Sequence, residues 1–316
     1  MAHSVLVTGA SGFAGSHLLP LVAGEPDVTV HAWTREAVPE TSSARWTQID
    51  LADRLAVERA VATAVPDVVF HLAGAAHVGQ SFSSVADTLE INALGTARLL
   101  DALRVHAPRA RVLVVSSAAV YRASSSALDE DAPLGPSSPY GLSKLAAERL
   151  ATRAWQEDGL HTVIARAFNH AGPRQSPAFV LSSFASQLAA IERGARQPIM
   201  RVGNLDACRD LTDVRDVVAA YQLLVRHGRP GTAYNVCSGT AFAIGDLLQS
   251  LIASARVPVT VETDPALLRP NDTPLVLGRH DRLTADTGWR PALPVDRTMA
   301  DVLDDWRQRT SARPGS

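Results

Sequence analysis

Near the start of the 316-residue chain stands the sequence Thr8-Gly9-Ala10-Ser11-Gly12-Phe13-Ala14-Gly15. The apolar residues 4–8 before it are typical of a short buried strand, and residues 16–23 after it have the pattern of a helix. Between a strand and a helix, glycines at this spacing permit a tight turn, a close approach of backbone to a pyrophosphate, and close packing of helix on strand. The helix N-terminus adds amides and the positive end of its dipole. The sequence therefore predicts a dinucleotide-binding turn over residues 9 and 11–15; a plain glycine turn is the alternative.

Short apolar runs alternate with helical patterns from this turn to residue 168. We predict strands at 28–32, 46–49, 68–72, 111–116 and 161–165, and helices at 54–65, 88–106 and 140–155. Short apolar strands that alternate with helices are typical of a parallel sheet covered on both faces. The predicted fold class is therefore α/β, with a Rossmann-type doubly wound parallel sheet and a smaller C-terminal α/β lobe for the substrate.

The alternation changes after residue 168. Helices are predicted at 178–194, 213–226, 244–255 and 298–309 and strands at 232–236 and 257–261, while prolines cluster between residues 258 and 294, which favours an irregular lid. We therefore predict a dinucleotide-binding domain over residues 1–168, to which 210–237 return, and a substrate-binding lobe over 169–209 and 238–316.

Composition argues against several classes of partner. The chain has 46% apolar and 20% charged residues, a net charge of −2 and a pI of about 6.5, which argues against nucleic acid or an anionic membrane as a partner. No apolar run approaches the roughly 20 residues that cross a bilayer, and no signal-peptide pattern is seen. Cys208 and Cys237 are the two cysteines. With no histidine spacing typical of a ligand set, no metal site or disulfide framework is expected, and the expected location is cytoplasmic.

The identity of the cofactor depends on the end of the second strand. In NAD sites an acid about 20 residues beyond the glycine turn binds the ribose 2′-hydroxyl, whereas an arginine accommodates a 2′-phosphate. Here the sequence is His31-Ala32-Trp33-Thr34-Arg35, without a carboxylate. This favours NADP (as NADPH) over NAD, with Arg35 at the phosphate; a solvated loop residue is the alternative for Arg35. Further cofactor contacts are predicted after the third and fourth strands, at Asp50, Leu51, Leu72, Ala73 and Gly74.

Lys144 is the single lysine of the chain, and it lies four residues after Tyr140. Residues i and i+4 share a helix face, so the ammonium and the phenol can act on one ligand. A free tyrosine has a pKa of about 10, and a nearby ammonium favours the phenolate and lowers that pKa. Such a phenol can give a proton to a carbonyl oxygen that receives hydride, or take one from an alcohol. A surface lysine on an ordinary helix is the alternative.

With Ser117 at the end of a strand, these motifs resemble the extended short-chain dehydrogenase/reductases over nearly the whole chain. The resemblance implies that Ser117, Tyr140 and Lys144 are catalytic, and that Tyr140 and Lys144 also contact the cofactor. The family pattern selects Ser117, the serine directly before Ala118-Ala119-Val120-Tyr121, and strand alternation points its neighbour Ser116 the other way. The resemblance also implies a homodimer through a four-helix seam. Its apolar surface would come from Leu99, Leu103, Leu142, Leu145 and Leu150.

The C-terminal motifs resemble one subgroup, the GDP-mannose 4,6-dehydratases and GDP-4-dehydro-6-deoxy-mannose reductases. The motifs include Arg166-Ala167-Phe168-Asn169-His170-Ala171-Gly172-Pro173 and Arg209-Asp210-Leu211-Thr212-Asp213. The resemblance implies a GDP-sugar substrate, bound through Asn169, Val180, Asn204, Arg209, Arg269 and Asp272. Arg209 and Arg269 would grip the diphosphate, or serve as surface ion-pair partners. His77 and Ser81 lie in a loop that reaches the sugar in this branch, or that is purely structural.

The choice between dehydratase and reductase depends on residue 119. By the resemblance, a 4,6-dehydratase carries an acid two residues after the catalytic serine, which removes the C5 proton; here the residue is Ala119. The acids at positions 129–131 are expected in a surface loop. Reduction of a 4-keto group needs only hydride and the proton of the phenol. We therefore predict an oxidoreductase that uses NADPH to reduce GDP-4-dehydro-6-deoxy-D-mannose to GDP-D-rhamnose or its 4-epimer.

Two alternatives stay open. A nucleotide-sugar 4-epimerase or GDP-mannose 4,6-dehydratase would keep its cofactor bound and recycle it, so it would need no added NADPH. A non-catalytic dinucleotide sensor would bind the cofactor without turnover, and the presence of both Tyr140 and Lys144 argues against it.

Overall fold

The computed structural model describes residues 3–38, 44–268 and 273–311. In these residues the strands are, in chain order, β1 (His3–Thr8), β2 (Val28–Thr34), β3 (Arg45–Gln48), β4 (Val68–His71), β5 (Arg111–Ser117), β6 (His161–Ala167), β7 (Asn169–Ala171), β8 (Ile199–Val202), β9 (Cys208–Asp213), β10 (Ala233–Val236), β11 (Ala241–Ala243), β12 (Thr260–Thr263) and β13 (Leu275–Val276).

The helices cover both faces of the larger sheet and build most of the second lobe. They are α1 (Phe13–Ala23), α2 (Arg54–Ala64), α3 (Val78–Ser81), α4 (Val85–Leu89), α5 (Gly95–His106), α6 (Pro139–Asp158), α7 (Val180–Glu192), α8 (Val214–His227), α9 (Ile244–Ala253), α10 (Asp281–Thr287) and α11 (Val295–Ser311). A π-helical turn, Glu90–Leu94, joins α4 to α5, and short 3₁₀ turns lie at Ala118–Val120 and Pro265–Leu267.

The larger sheet has seven strands in the order β10-β6-β5-β4-β1-β2-β3. Every neighbouring pair in it is parallel. The chain builds outward from β1 to β3 and then crosses back to β4, so the strand order reverses between β1 and β4. Ligands of such sheets bind in the crevice outside the carboxyl ends of the strands at this reversal. The predicted doubly wound parallel sheet is confirmed.

Two apolar cores lie on opposite faces of this sheet. Alternation along β1 sends Val7 into the core beneath α1 and α8, and Leu6 into the core beneath α2, α5 and α6. Leu99 and Leu103 on α5 are fully buried in the second core. Their prediction as apolar residues of a dimer seam is therefore wrong, because they face their own sheet.

The second lobe has its own core. Strands β7, β11 and β13 pair with β9, β12 pairs with β8, and apolar residues of α7, α9 and α11 pack together. Helix α8 and strand β10 return to the larger sheet, and Leu283 and Trp289, from the segment predicted as a lid, also pack in the core beneath α1 and α8. That segment contains β12, β13 and α10 and is more regular than expected.

No helix in the described ranges has the length and hydropathy needed to cross a bilayer.

Candidate active site

The glycine turn between β1 and α1 is tightly packed. Gly9 has a φ of +67°, a region that glycine adopts readily, and a Cβ placed on it would lie 2.8 Å from Ala73 Cα in the segment after β4. A Cβ on Gly15 would collide with the carbonyl oxygen of Gly9 and lie 2.8 Å from Ala10 Cα. Gly12 is the N-cap of α1. The turn therefore brings the N-terminus of α1 to the crevice where the strand order reverses, as a bound pyrophosphate requires.

The end of β2 carries hydroxyl groups where NAD sites carry an acid. Thr34 is buried, its Oγ1 lies 2.7 Å from Ser11 Oγ, and it accepts a hydrogen bond from Glu36 N at 3.1 Å. Arg35 is exposed beside it. Asp50 is exposed, whereas the side chain of Leu51 is buried in the core of α2 and α5.

The segment after β4 passes over Lys144. Leu72 and Ala73 are half-buried. A Cβ on Gly74 would lie 2.7 Å from Asn92 Oδ1 and 3.2 Å from Lys144 Nζ. The structure thus brings together the cofactor residues predicted from the first and fourth strands and the lysine predicted from α6.

Sequence reasoning missed Asn92. This buried residue lies in the π-helical turn inside the predicted 88–106 helix, accepts a hydrogen bond from Ala75 N at 2.8 Å, and donates to Ala75 O at 3.1 Å and Ser143 Oγ at 2.9 Å. It therefore fixes the loop after β4 against α6. π-Helical turns occur often at functional sites. The sequence feature that could have identified Asn92 is its amide side chain on the apolar face of an amphipathic helix.

Ser117, Tyr140 and Lys144 come from the end of β5 and the first turns of α6. Helix α6 starts sharply because Ser138 Oγ accepts a hydrogen bond from Gly141 N at 3.1 Å and Pro139 occupies the first turn. Lys144 Nζ lies 6.0 Å from the centre of the Tyr140 ring. The three side chains thus form one group at the carboxyl end of the sheet.

Burial controls the protonation of this group. Burial raises the pKa of Tyr140, and a hydrogen bond with the Ser117 side chain opposes that rise. The lowered Tyr140 pKa that the sequence predicts is therefore not seen, because burial is the largest influence on this phenol. Burial also lowers the pKa of Lys144 to about 8, and the carboxylate of Glu148 opposes this change. The phenol therefore holds its proton at neutral pH and is suited to act as an acid.

Ser116 points away from this group, as strand alternation predicts. Its hydroxyl is buried and donates a hydrogen bond to Glu148 Oε1 at 2.5 Å, on the far side of the strand. Of the two adjacent serines, Ser117 is the one that meets Tyr140.

The turn after β6 packs on the glycine turn. The ring of His170 stacks on Phe13, with 5.7 Å between centroids and 4° between planes, and His17 Nε2 lies 2.9 Å from Pro173 O. Asn169, exposed at the start of β7, is therefore held at the carboxyl edge of the larger sheet. The predicted cofactor and substrate turns are in direct contact.

The loop of His77 and Ser81 is bound more closely than expected. His77 Nε2 lies 3.1 Å from Ala178 O, so this half-buried residue bridges the two lobes. Ser81 is buried, donates to Val78 O at 2.6 Å and accepts from Tyr140 N at 3.2 Å. Its buried hydroxyl stabilises the start of α6 and is not accessible to a sugar. The structure therefore does not support the predicted substrate contact of Ser81.

The remaining predicted substrate residues lie in the second lobe. Val180 and Asn204 are exposed, and Asn204 Oδ1 accepts from Asp206 N at 3.0 Å. Arg209 Nη1 donates to Cys208 O at 2.9 Å and to Thr273 O at 2.7 Å. Arg269 and Asp272 lie outside the described residues.

The expected surface acids at 129–131 are not all on the surface. The side chain of Glu130 is 4% exposed, accepts a hydrogen bond from Asn235 N at 2.9 Å and lies 3.7 Å from Arg282. Burial raises its pKa. The expectation was wrong for Glu130 because β10 and α10 cover it.

Comparisons with known proteins agree with this architecture. Residues 6–302 match the family model described as GDP-mannose 4,6 dehydratase. GDP-6-deoxy-D-mannose reductase of Pseudomonas aeruginosa is 36% identical over 313 residues, which cover 98% of this chain and 99% of that protein. The structure of RMD from Pseudomonas aeruginosa complexed with NADPH has a TM-score of 0.85 at 35% identity, over 97% of this chain and 99% of that one. The UDP-glucose 4-epimerase of Thermus thermophilus complexed with NAD has a TM-score of 0.84 at 29% identity, over 96% and 98% of the two chains.

Proposed function

The chain belongs to the GDP-mannose 4,6-dehydratase family, and from this premise we propose that it reduces the 4-keto group of GDP-4-dehydro-6-deoxy-D-mannose with NADPH. The product is GDP-D-rhamnose or its 4-epimer. The similarity to a GDP-6-deoxy-D-mannose reductase over nearly the full length of both chains supports this substrate. A cytoplasmic location stays part of the proposal.

The observation that carries the proposal is the group formed by Ser117, Tyr140 and Lys144 beside Ala119. Bound NADPH supplies the hydride that adds to C4 of the sugar. Tyr140 then gives its phenolic proton to the carbonyl oxygen, and Ser117 holds that oxygen by a hydrogen bond. Lys144 provides positive charge beside the phenol. Since burial raises the pKa of Tyr140, the acid is protonated when the reaction begins.

The residues around this group fit a dinucleotide. The glycine turn, the segment 72–74 and Lys144 meet at one crevice, where side chains at Gly9, Gly15 or Gly74 would collide with their neighbours. The residue two positions after Ser117, where a 4,6-dehydratase carries the acid for elimination, is Ala119. Removal of a C5 proton and loss of water would have no general base at that position.

A coupled assay tests this reaction. GDP-mannose and a separate 4,6-dehydratase supply the keto sugar, and NADPH is followed at 340 nm. We expect oxidation that depends on both the keto sugar and this protein. Absence of oxidation, together with turnover of UDP- or dTDP-linked keto sugars, would contradict the GDP assignment. The second candidate, an epimerase that recycles its cofactor, is favoured by the likeness to the NAD-bound epimerase. It would convert a UDP-hexose without added NADPH.

Cofactor preference gives a first prediction. Arg35→Ser should raise the KM for NADPH about tenfold or more, because a charge-assisted contact to the 2′-phosphate contributes about 1.5–3 kcal/mol, while the KM for NADH should change little. Arg59→Ser, on the exposed face of α2, is the matched control and should leave both values unchanged. Equal effects of Arg35→Ser on NADPH and NADH would show that Arg35 does not meet the 2′-phosphate.

Dimerisation gives a second prediction. Leu142 on α6 is 51% exposed and Leu94, in the π-helical turn, is 48% exposed, so an apolar surface remains where α6 would meet a second copy. Leu145 and Leu150 are partly buried against their own cores. We propose a homodimer through this surface. Leu142→Glu should give a monomer in sedimentation velocity.

A control for the dimer is available on α2. Leu55 is 54% exposed, and Leu55→Glu should leave the dimer intact. A dimer that survives Leu142→Glu and dissociates with Leu55→Glu would place the interface on α2 instead.

A further inference from the structure

The end of β5 is fastened to α6 beside the catalytic group. Lys144 Nζ donates a hydrogen bond to Val115 O at 3.0 Å, and the next residue, Ser116, donates to Glu148 Oε1 at 2.5 Å. Because residues four apart share a helix face, Tyr140, Lys144 and Glu148 form one row along α6. The carboxylate of Glu148 therefore lies one turn beyond the ammonium and is held by the strand that carries the catalytic serine.

Glu148 is fixed from its other side by Arg166. Arg166 Nε donates to Glu148 Oε1 at 3.0 Å and Nη2 donates to Oε2 at 2.8 Å, and the side chains are 7% and 4% exposed. The guanidinium lies 4.9 Å from the centre of the Tyr121 ring and donates to Tyr121 OH at 2.9 Å. Buried ion pairs contribute little net stability, because desolvation offsets their attraction. Stability alone is therefore a weak reason for this pair.

The Glu148–Arg166 pair lies close to Lys144, whose charge depends on the titratable groups around it. In the described residues, the titratable groups that act on Tyr140 and Lys144 are His71 on β4, Glu148 on α6 and Tyr221 on α8, while Arg166 on β6 acts on Glu148. Burial lowers the pKa of His71 to about 3, so it is neutral, and burial raises the pKa of Tyr221, so it is neutral as well. Glu148 is the carboxylate among these groups, and it favours the ammonium form of Lys144.

We propose that Glu148, held by Ser116 and Arg166, is a positioning residue that keeps Lys144 charged and thereby sets the upper pH limit of catalysis. The proposal rests on the proposed function, because it takes the role of Lys144 from there. As the pH rises through the pKa of Lys144, the ammonium loses its proton, and the reaction loses the charge beside Tyr140. Removal of the Glu148 carboxylate moves this loss to lower pH.

The single lysine makes this charge directly measurable. Protein labelled with [ε-13C]lysine gives one Cε resonance, which needs no assignment, and its shift is followed against pH. Wild type should titrate at a pH of about 8. Glu148→Gln should titrate about one pH unit lower, because it removes the carboxylate and leaves the cation of Arg166 unbalanced. The alkaline limb of kcat should move by the same amount.

Three further variants make the test decisive. Glu157→Gln, an exposed glutamate on the same helix that pairs with Arg153, should titrate as wild type. Arg166→Gln leaves the carboxylate unbalanced and should shift the titration upward, opposite to Glu148→Gln. In a site that is merely loosened, water relieves the burial that lowers the pKa of Lys144, so both variants would titrate above wild type. If Glu148→Gln does not fold, the double variant Glu148→Gln/Arg166→Gln should still titrate below wild type.

An unchanged titration in Glu148→Gln and in the double variant would overturn the proposal. The titration needs no sugar substrate, so it stands if the reductase assay fails. Conversely, the protein could reduce the keto sugar while its lysine titration stays unchanged in Glu148→Gln and in the double variant. That result would support the proposed function and contradict this inference alone.

Discussion

Tyr140→Phe should lower kcat by about two to four orders of magnitude, the range over which a general acid contributes. Phenylalanine keeps the ring and its packing but has no proton to give to the carbonyl oxygen. The Kd for NADPH should change less than about threefold, because Lys144 and the glycine turn remain. Single-turnover kinetics and fluorescence titration of NADPH measure the two quantities separately.

The matched control for Tyr140→Phe is Tyr234→Phe. Tyr234 lies near the start of β10, at the amino end of the larger sheet and away from the catalytic group. Its hydroxyl donates a hydrogen bond to Asp286 Oδ2 at 2.6 Å. Loss of this hydroxyl should leave kcat within about threefold of wild type once the protein is folded. A Tyr140→Phe variant with a kcat near that of wild type would show that another group is the acid.

Gly15→Ala should abolish measurable NADPH binding and lower the free energy of unfolding by about 1–3 kcal/mol, as overpacking of a tight contact does. The new methyl group would collide with the carbonyl oxygen of Gly9, and the nearby backbone of Ala10 leaves no room for it. Either α1 moves away from the turn or the turn opens, and both displace the helix N-terminus from the pyrophosphate. Thermal unfolding and NADPH titration measure the two effects.

Gly12→Ala is the informative comparison for this variant. A Cβ on Gly12 would lie 3.1 Å from Gly9 O, a contact that a small shift relieves, so folding should be nearly unaffected. NADPH binding should still weaken, because the backbone at this position must approach the pyrophosphate closely. A Gly15→Ala protein with wild-type melting temperature and NADPH affinity would contradict the assigned turn.

Sequence reasoning succeeded where a local pattern has one physical meaning. The glycine turn between strand and helix, the apolar strands and the Tyr140–Lys144 spacing each follow from backbone geometry or helix period. Alternation along the strand predicted that Ser116 and Ser117 point to opposite sides, and the resemblance to the family then selected Ser117. These features are enough to predict the larger sheet and the group of side chains at its carboxyl edge.

The features that the sequence did not reveal depend on long-range packing. The π-helical turn that presents Asn92 interrupts a pattern that is otherwise helical throughout. Ser81 ends the short helix α3 and Glu130 lies in a loop, and the burial of these polar side chains depends on α6 and on β10, which lie far along the chain. Leu99 belongs to an amphipathic helix whose period cannot say which partner its apolar face meets.

The most direct test of the proposed reduction follows the transferred hydride. NADPH that carries deuterium at the transferred position is incubated with the keto sugar and this protein. The mass of the GDP-sugar product is then measured by mass spectrometry. A reductase should give one deuterium in each product molecule, at C4, and consume one NADPH for each product. Keto sugar that stays unreduced in the presence of NADPH, together with conversion of a GDP- or UDP-hexose when NADPH is omitted, would contradict this reaction and indicate an enzyme that recycles a bound cofactor.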